Sequence, residues 1–287
     1  MLSWMRKSGW MLLSCLSLLA ACGQGGAPGS SIASQASGDE AGVFGGERIE
    51  SNARISRYVV GIEYEGADGK TKICTGSMIG PQMVLTAAHC VSKKLNTMRV
   101  IFATSLENTD AVSASLKRRV VSARVHQGYQ KAEDDRVFTN VYDLAVLKLE
   151  SAAPPHVRHA QLAASFFSVS QIPTVYAIGF GMTTFDSKTR VATGERTLKN
   201  AIVPRLETDR PEILVLDQSK GTGVCVGDSG GPMLVENADG FIVMGVASTV
   251  YNPNSNGLCV SQATYISVSH YRSWIHQQAF EMMQTYR

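Results

Sequence analysis

Three short segments of this 287-residue chain carry side chains that could act together on one bond. Thr86-Ala87-Ala88-His89-Cys90 sets an imidazole among small residues, and Asp143 stands directly before the apolar run Leu144 to Leu149. Gly227-Asp228-Ser229-Gly230-Gly231-Pro232 puts a hydroxyl in a turn whose glycines admit unusual backbone angles. Singly, each has an ordinary explanation: a packed histidine, a turn-capping carboxylate, a loop. Jointly they hold the ingredients of nucleophilic catalysis. A serine hydroxyl attacks poorly until an imidazole takes its proton, and that ring must itself be oriented by a third group. His126, His156, His159, His270 and His276 read as surface or packing residues, and none offers a better partner set. With no zinc spacing and no clear ligand cluster for calcium, neither a metal nor a cofactor is expected.

The elements that must position these residues are short and rich in β-branched side chains. Val59 to Ile62, Ser77 to Ile79, Met83 to Thr86, Met98 to Phe102, Arg119 to Val121, Leu144 to Leu149, Thr174 to Ile178, Ile242 to Val246 and Tyr265 to Val268 read as strands. Gly, Pro, Asn and Asp punctuate the intervals. Many strands without long helical patterns between them exclude an α/β fold and point to antiparallel barrels or a sandwich. The exception is Ser269 to Met283, where Tyr271, Trp274, Ile275, Gln278 and Met282 recur at near-helical spacing. A C-terminal helix is expected there, capped by Ser269.

In the order His, Asp, Ser, the motifs TAAHC, DLAVLKL and GDSGGP resemble those of the chymotrypsin-like (trypsin-like) serine peptidases, from about Ile49 to the C-terminus. The resemblance implies an all-β fold of two antiparallel Greek-key β-barrels with a C-terminal α-helix and the active site between the barrels. It implies a serine endopeptidase working through an acyl-enzyme intermediate. In that scheme His89 is general base and then general acid, Asp143 holds its tautomer, and Ser229 is the nucleophile. The N–H groups of Gly227 and Ser229 would form the oxyanion hole, and Ser248 would hydrogen-bond Asp143. By cysteine count alone, the four cysteines of the main body allow three pairings; the resemblance selects Cys74–Cys90 and Cys225–Cys259.

Two further expectations follow from the same resemblance. Gly223, six residues before Ser229, falls at the base of the primary specificity pocket, where an aspartate would favour Arg or Lys. Val250 and Ala263 fall on its walls, where side chains narrow the slot. A small or medium aliphatic P1 residue is expected; Leu or an aromatic is the alternative, because glycine deepens the base. Thr249 departs from the family's usual aromatic. The segment Gly45-Gly46-Glu47-Arg48-Ile49-Glu50 resembles an activation junction, with the freed amino group of Ile49 pairing with Asp228. Arg54-Ile55 is a second, less well spaced candidate.

Before that body the chain changes character. Arg6 and Lys7 precede an apolar run from Trp10 to Ala21, which ends Leu19-Ala20-Ala21-Cys22. This resembles a bacterial lipoprotein signal in which Cys22 is lipidated. Residues 1–21 are thus expected to be a signal peptide, residues 22–48 a flexible Gly/Ala/Ser-rich tether or propeptide, and residues 49–287 the peptidase domain. The chain would be exported, to the bacterial envelope as an outer-membrane lipoprotein or in the periplasm, or secreted after processing. Formal net charge is +3 and falls to about +1 without Arg6 and Lys7, which supplies no electrostatic case for nucleic acid. Protein or peptide substrates, an activating protease and a monomeric state are expected. The competing readings are a catalytically silent binding protein on the same fold and a passive envelope lipoprotein.

Overall fold

The computed structural model describes residues 43–130, 140–186, 191–251, 259 and 261–285. The expected signal peptide and Cys22 lie outside them. Six strands close the first barrel: β1 (Val59–Glu65), β2 (Thr71–Gly80), β3 (Met83–Thr86), β4 (Arg99–Ile101), β5 (Lys117–Val125) and β6 (Ala145–Leu149). Their neighbour order is β1-β2-β3-β6-β5-β4 and back to β1, all antiparallel. Six more close the second: β7 (Thr174–Gly179), β8 (Lys199–Leu206), β9 (Ile213–Asp217), β10 (Pro232–Asn237), β11 (Gly240–Tyr251) and β12 (Gln262–Ser267). Here the ring runs β7-β8-β9-β12-β11-β10. Closure removes the exposed sheet edges that would otherwise invite pairing with another chain.

Side-chain alternation explains the barrels locally. Along β8 the buried residues are Lys199, Ala201, Val203 and Arg205, every second position, so two cations share the inward face with two apolar groups. Strand β6 is buried at all five residues because its outer face is covered as well. The cover is α1 (Val268–Gln284), which buries Val268, Tyr271, Ile275 and Met282. Lys148 in β6 points to that helix, and its Nζ donates to the Met282 carbonyl at 2.7 Å. A cation at the C-terminal turn meets the negative end of the helix dipole. The cap at the other end is Ser267, whose Oγ accepts the His270 N–H, not Ser269, which lies inside the first turn. Strand β12 runs straight into the helix, so the hydroxyl at the junction takes the capping position.

Both disulfides expected from the resemblance are present, Cys74–Cys90 and Cys225–Cys259, with Cα separations of 6.1 and 5.1 Å. Closing loops of 16 and 34 residues, they contribute about 3 to 4 kcal/mol each by restricting the unfolded chain. Val43 to Arg48, the last residues of the expected tether, pack onto the domain. Val43 is fully buried, Phe44 forms a β-bridge to Gly223, and Glu47–Arg48 pairs with Lys199 and Asn200 of β8.

Candidate active site

His89 sits in a single 3-10 turn, Ala88–Cys90, immediately after β3. The strand ends where the Thr86 hydroxyl donates to the Thr75 carbonyl at 2.8 Å, and the Cys74–Cys90 disulfide fixes the far side of the turn. Asp143 enters from the mouth of β6 and is buried. Its Oδ1 accepts the His89 backbone N–H at 2.9 Å, and its Oδ2 lies 2.7 Å from His89 Nδ1. Ser248, on β11 of the other barrel, donates its hydroxyl to the same Oδ2 at 2.6 Å. Burial alone would push Asp143 up, but the His89 ring and the bonds from His89 and Ser248 outweigh it and hold the carboxyl below its ordinary value. An ionised carboxylate only accepts, so the ring proton must be on Nδ1, and in the neutral ring Nε2 carries the lone pair.

An aromatic group braces this corner. The His126 ring stacks on Tyr142, the residue before Asp143, and meets Tyr271 and Trp274 of α1. The C-terminal helix thereby steadies the approach to Asp143 from outside the barrel.

Ser229 rides on a turn that is clamped between the barrels. Gly227 and Gly230 take φ of +101° and +79°, a region that favours glycine. A Cβ on Gly230 would lie 2.1 Å from Thr86 Oγ1 and 3.0 Å from the Ala87 nitrogen, so the turn passes directly against the strand end that bears His89. Thr75 N–H donates to the Ser229 carbonyl at 2.8 Å, and Thr75 Oγ1 both donates to the Gly227 carbonyl and accepts the Phe180 N–H, each at 3.1 Å. Ala247, next to Ser248, exchanges backbone bonds with Gly230 and Gly231 at 2.8 Å. The N–H groups of Gly227 and Ser229 find no acceptor among the described residues.

Behind the turn, Asp228 is wholly buried. Its two oxygens accept the N–H groups of Gly181 at 2.7 Å and Cys225 at 2.8 Å. Gly179 and Gly181 make room for it, since a Cβ on either would stand 2.1 or 2.3 Å from the carboxylate. Burial pushes its pKa up to about 7, with the two N–H groups and the charge of Lys199 only partly opposing. Lys199 is itself 1% exposed; its Nζ makes no hydrogen bond among the described residues and lies 3.9 Å from Glu195 Oε2. Burial lowers its pKa, with Glu195 opposing. Glu195 also pairs with exposed Arg48 at 2.9 Å, and the Ile49 N–H donates to the Leu198 carbonyl at 2.9 Å.

At the positions expected to form a pocket, Gly223 is buried with φ of +153° and donates its N–H to the Phe44 carbonyl. Val250 pairs with Ala263, which is fully buried and pairs on its other side with Leu216. Cys74, His89 and Cys90 stand close enough to suggest a metal cluster, but both sulfurs are spent in the disulfide, which leaves one imidazole and no site. Outside the expected set, Thr75 holds the Ser229 turn, Gln218 bonds to the Val224 and Cys259 carbonyls, and Lys199 stands buried without a hydrogen bond among the described residues. Nothing local marks any of the three, and along β8 the inward face itself carries two cations. A family model described as Trypsin matches residues 43–275.

Proposed function

This chain belongs to the trypsin family, and on that premise we propose that it is a serine endopeptidase acting through His89, Asp143 and Ser229. The observation that carries the proposal is the Asp143 carboxylate, which takes two bonds from His89 and one from Ser248. That arrangement fixes the imidazole with Nδ1 protonated and Nε2 basic, the form a hydroxyl nucleophile requires. In the proposed reaction Nε2 takes the Ser229 proton as Oγ bonds to the peptide carbonyl carbon. The resulting oxyanion is met by the N–H groups of Gly227 and Ser229, worth roughly 3 kcal/mol per donor in such sites. The imidazolium then protonates the departing amine as the C–N bond breaks, leaving an acyl-serine. Water repeats the sequence, giving a free carboxylate and restoring Ser229. Asp143 stays ionised throughout and stabilises the charged ring.

Activation follows from Asp228. Cleavage after Arg48 frees an α-ammonium on Ile49, which supplies the buried carboxylate with a cation and orders the turn that carries Gly227 and Ser229. Val250 and Ala263 narrow the pocket towards small or medium aliphatic P1 residues. Residues 1–21 serve as a lipoprotein-type export signal with lipid on Cys22, so that the domain begins its life anchored to the cell envelope. The test is labelling with a serine-directed phosphonate after cleavage at Arg48, mapped by mass spectrometry. Stoichiometric modification of Ser229, lost in His89→Ala, is the expected result. Correctly processed protein that takes up no label is instead a silent binding member of the family.

A further inference from the structure

Against Gly223 packs a buried side chain that has no part in the His89–Asp143–Ser248 bonding. Gln218 is completely buried at the end of β9, and its carboxamide faces Gly223. A Cβ built on Gly223 would lie 2.3 Å from Gln218 Cδ and 2.4 Å from both Cγ and Oε1. The space into which a side chain at residue 223 would project is therefore already full. Five hydrogen bonds fix Gln218. Its Nε2 donates to the carbonyls of Val224 at 3.1 Å and Cys259 at 3.0 Å, and its Oε1 accepts the Val224 N–H at 2.8 Å. Its backbone N–H donates to Ser261 at 2.8 Å, and its carbonyl accepts from Gly221 at 3.0 Å. Only one orientation of the amide satisfies this set, because the reverse would turn oxygen towards two carbonyls. The side chain spans the same two segments that Cys225–Cys259 joins covalently.

Resting on the peptidase reading, we propose that Gln218 fills the volume beneath the primary specificity pocket and so restricts P1 to small uncharged side chains. The chemistry follows from the hydrogen-bond count. Gln218 is wholly buried and both its N–H groups are committed, so it offers nothing to a substrate carboxylate, and it carries no formal charge to hold a substrate cation. A buried ammonium or carboxylate in such a slot would be left without its counter-charge. Glycine at 223 adds no depth, because Gln218 occupies the volume that glycine vacates. This separates the small-residue preference from the Leu or aromatic alternative.

The experiment is a P1 peptide-library profile of processed enzyme, each variant normalised to its active-site concentration by phosphonate titration. Wild type should favour Ala or Val over Leu and Phe, and over every charged P1. Gln218→Ala and Gln218→Asn both vacate that volume and should raise the kcat/KM ratio of Leu to Ala by roughly tenfold or more, the scale of one or two methylenes in an apolar slot. Gln218→Met refills the space without a charge and should keep the wild-type order; it decides the matter if the shorter variants do not fold. Titratable enzyme whose profile is unchanged in the truncated variants, or altered by Met, overturns the assignment. So does a wild-type preference for Arg, Lys, Asp or Glu. Failure of the peptidase reading looks different: wild type itself takes up no phosphonate.

Discussion

The buried carboxylate behind the Ser229 turn should make the uncut chain less stable as pH rises. Asp228 is fully buried and its pKa is pushed up to about 7, whereas in the unfolded chain it returns to the ordinary value near 3.8. Between these values the native chain keeps a proton that the unfolded chain has lost. Unfolding therefore releases a proton, and stability falls with rising pH by up to about 1.4 kcal/mol per pH unit. Carried across the whole window, the loss is about 4 kcal/mol, present in full above pH 7 and absent below about pH 4. The perturbation is Asp228→Asn, which cannot titrate. The background is Ser229→Ala with Arg48→Gln, so that neither autolysis nor clipping intervenes. Urea unfolding of both proteins at intervals from pH 4 to 8 gives the difference curve, in which Asp143, His126 and the other titrating groups cancel. Asparagine carries its own constant penalty, because its NH₂ must face one of the N–H groups of Gly181 or Cys225. The slope of the difference is unaffected. Wild type should lose its advantage steadily as pH rises through this window. A flat difference, or one that grows with pH, would mean that Asp228 is ionised at its site through a counter-charge already in place, and the reasoning would fail.

Two further outcomes are expected. Asp143→Asn keeps the shape but offers His89 Nδ1 no proton-acceptor of fixed kind, so kcat should fall by roughly 10⁴-fold while phosphonate labelling slows in proportion; a loss below tenfold would remove Asp143 from the proposed machinery. Lys148→Met leaves the Met282 carbonyl without its donor at the end of α1, at a cost of about 1 to 3 kcal/mol. A fall in Tm with unchanged active-site titration checks it, and an unchanged Tm would show that the helix end is held by other contacts.

Much of the first barrel was legible because its strands announce themselves: Met83–Thr86 and Ala145–Leu149 are apolar runs bounded by turn residues. The second barrel was harder. Lys199–Leu206 was passed over because Lys199 and Arg205 break the apolar signal on the inward face and Pro204 breaks it on the outward one. Arg205 is tolerated there because its guanidinium donates to the carbonyls of Phe167, Ser168 and Ile172, partners more than thirty residues away. Ile213–Asp217 and Pro232–Asn237 were also unread, although both are longer than Met83–Thr86; the second opens on a proline and closes on Glu236-Asn237. At the site, His89, Asp143 and Ser229 stood out through their neighbours in the chain. Thr75 and Gln218 did not, because their work is done across separations of 152 and 41 residues, to Gly227 and Cys259. Local sequence carries no trace of such contacts.

The docking of Val43 to Arg48 changes what a break in the Arg48–Ile49 bond would accomplish. Neither disulfide reaches this segment, yet it is stitched to β8 and, through Phe44, to Gly223. Once severed, the leader would stay on as a guest peptide, with its own dissociation constant and off-rate. Departure would then be governed by mass action: dilution, warmth or mild denaturant would drive it, and crowding at a surface would delay it. Scission and liberation of the domain would be two events separated in time, and the first could pass unnoticed in any measurement that watches only the second.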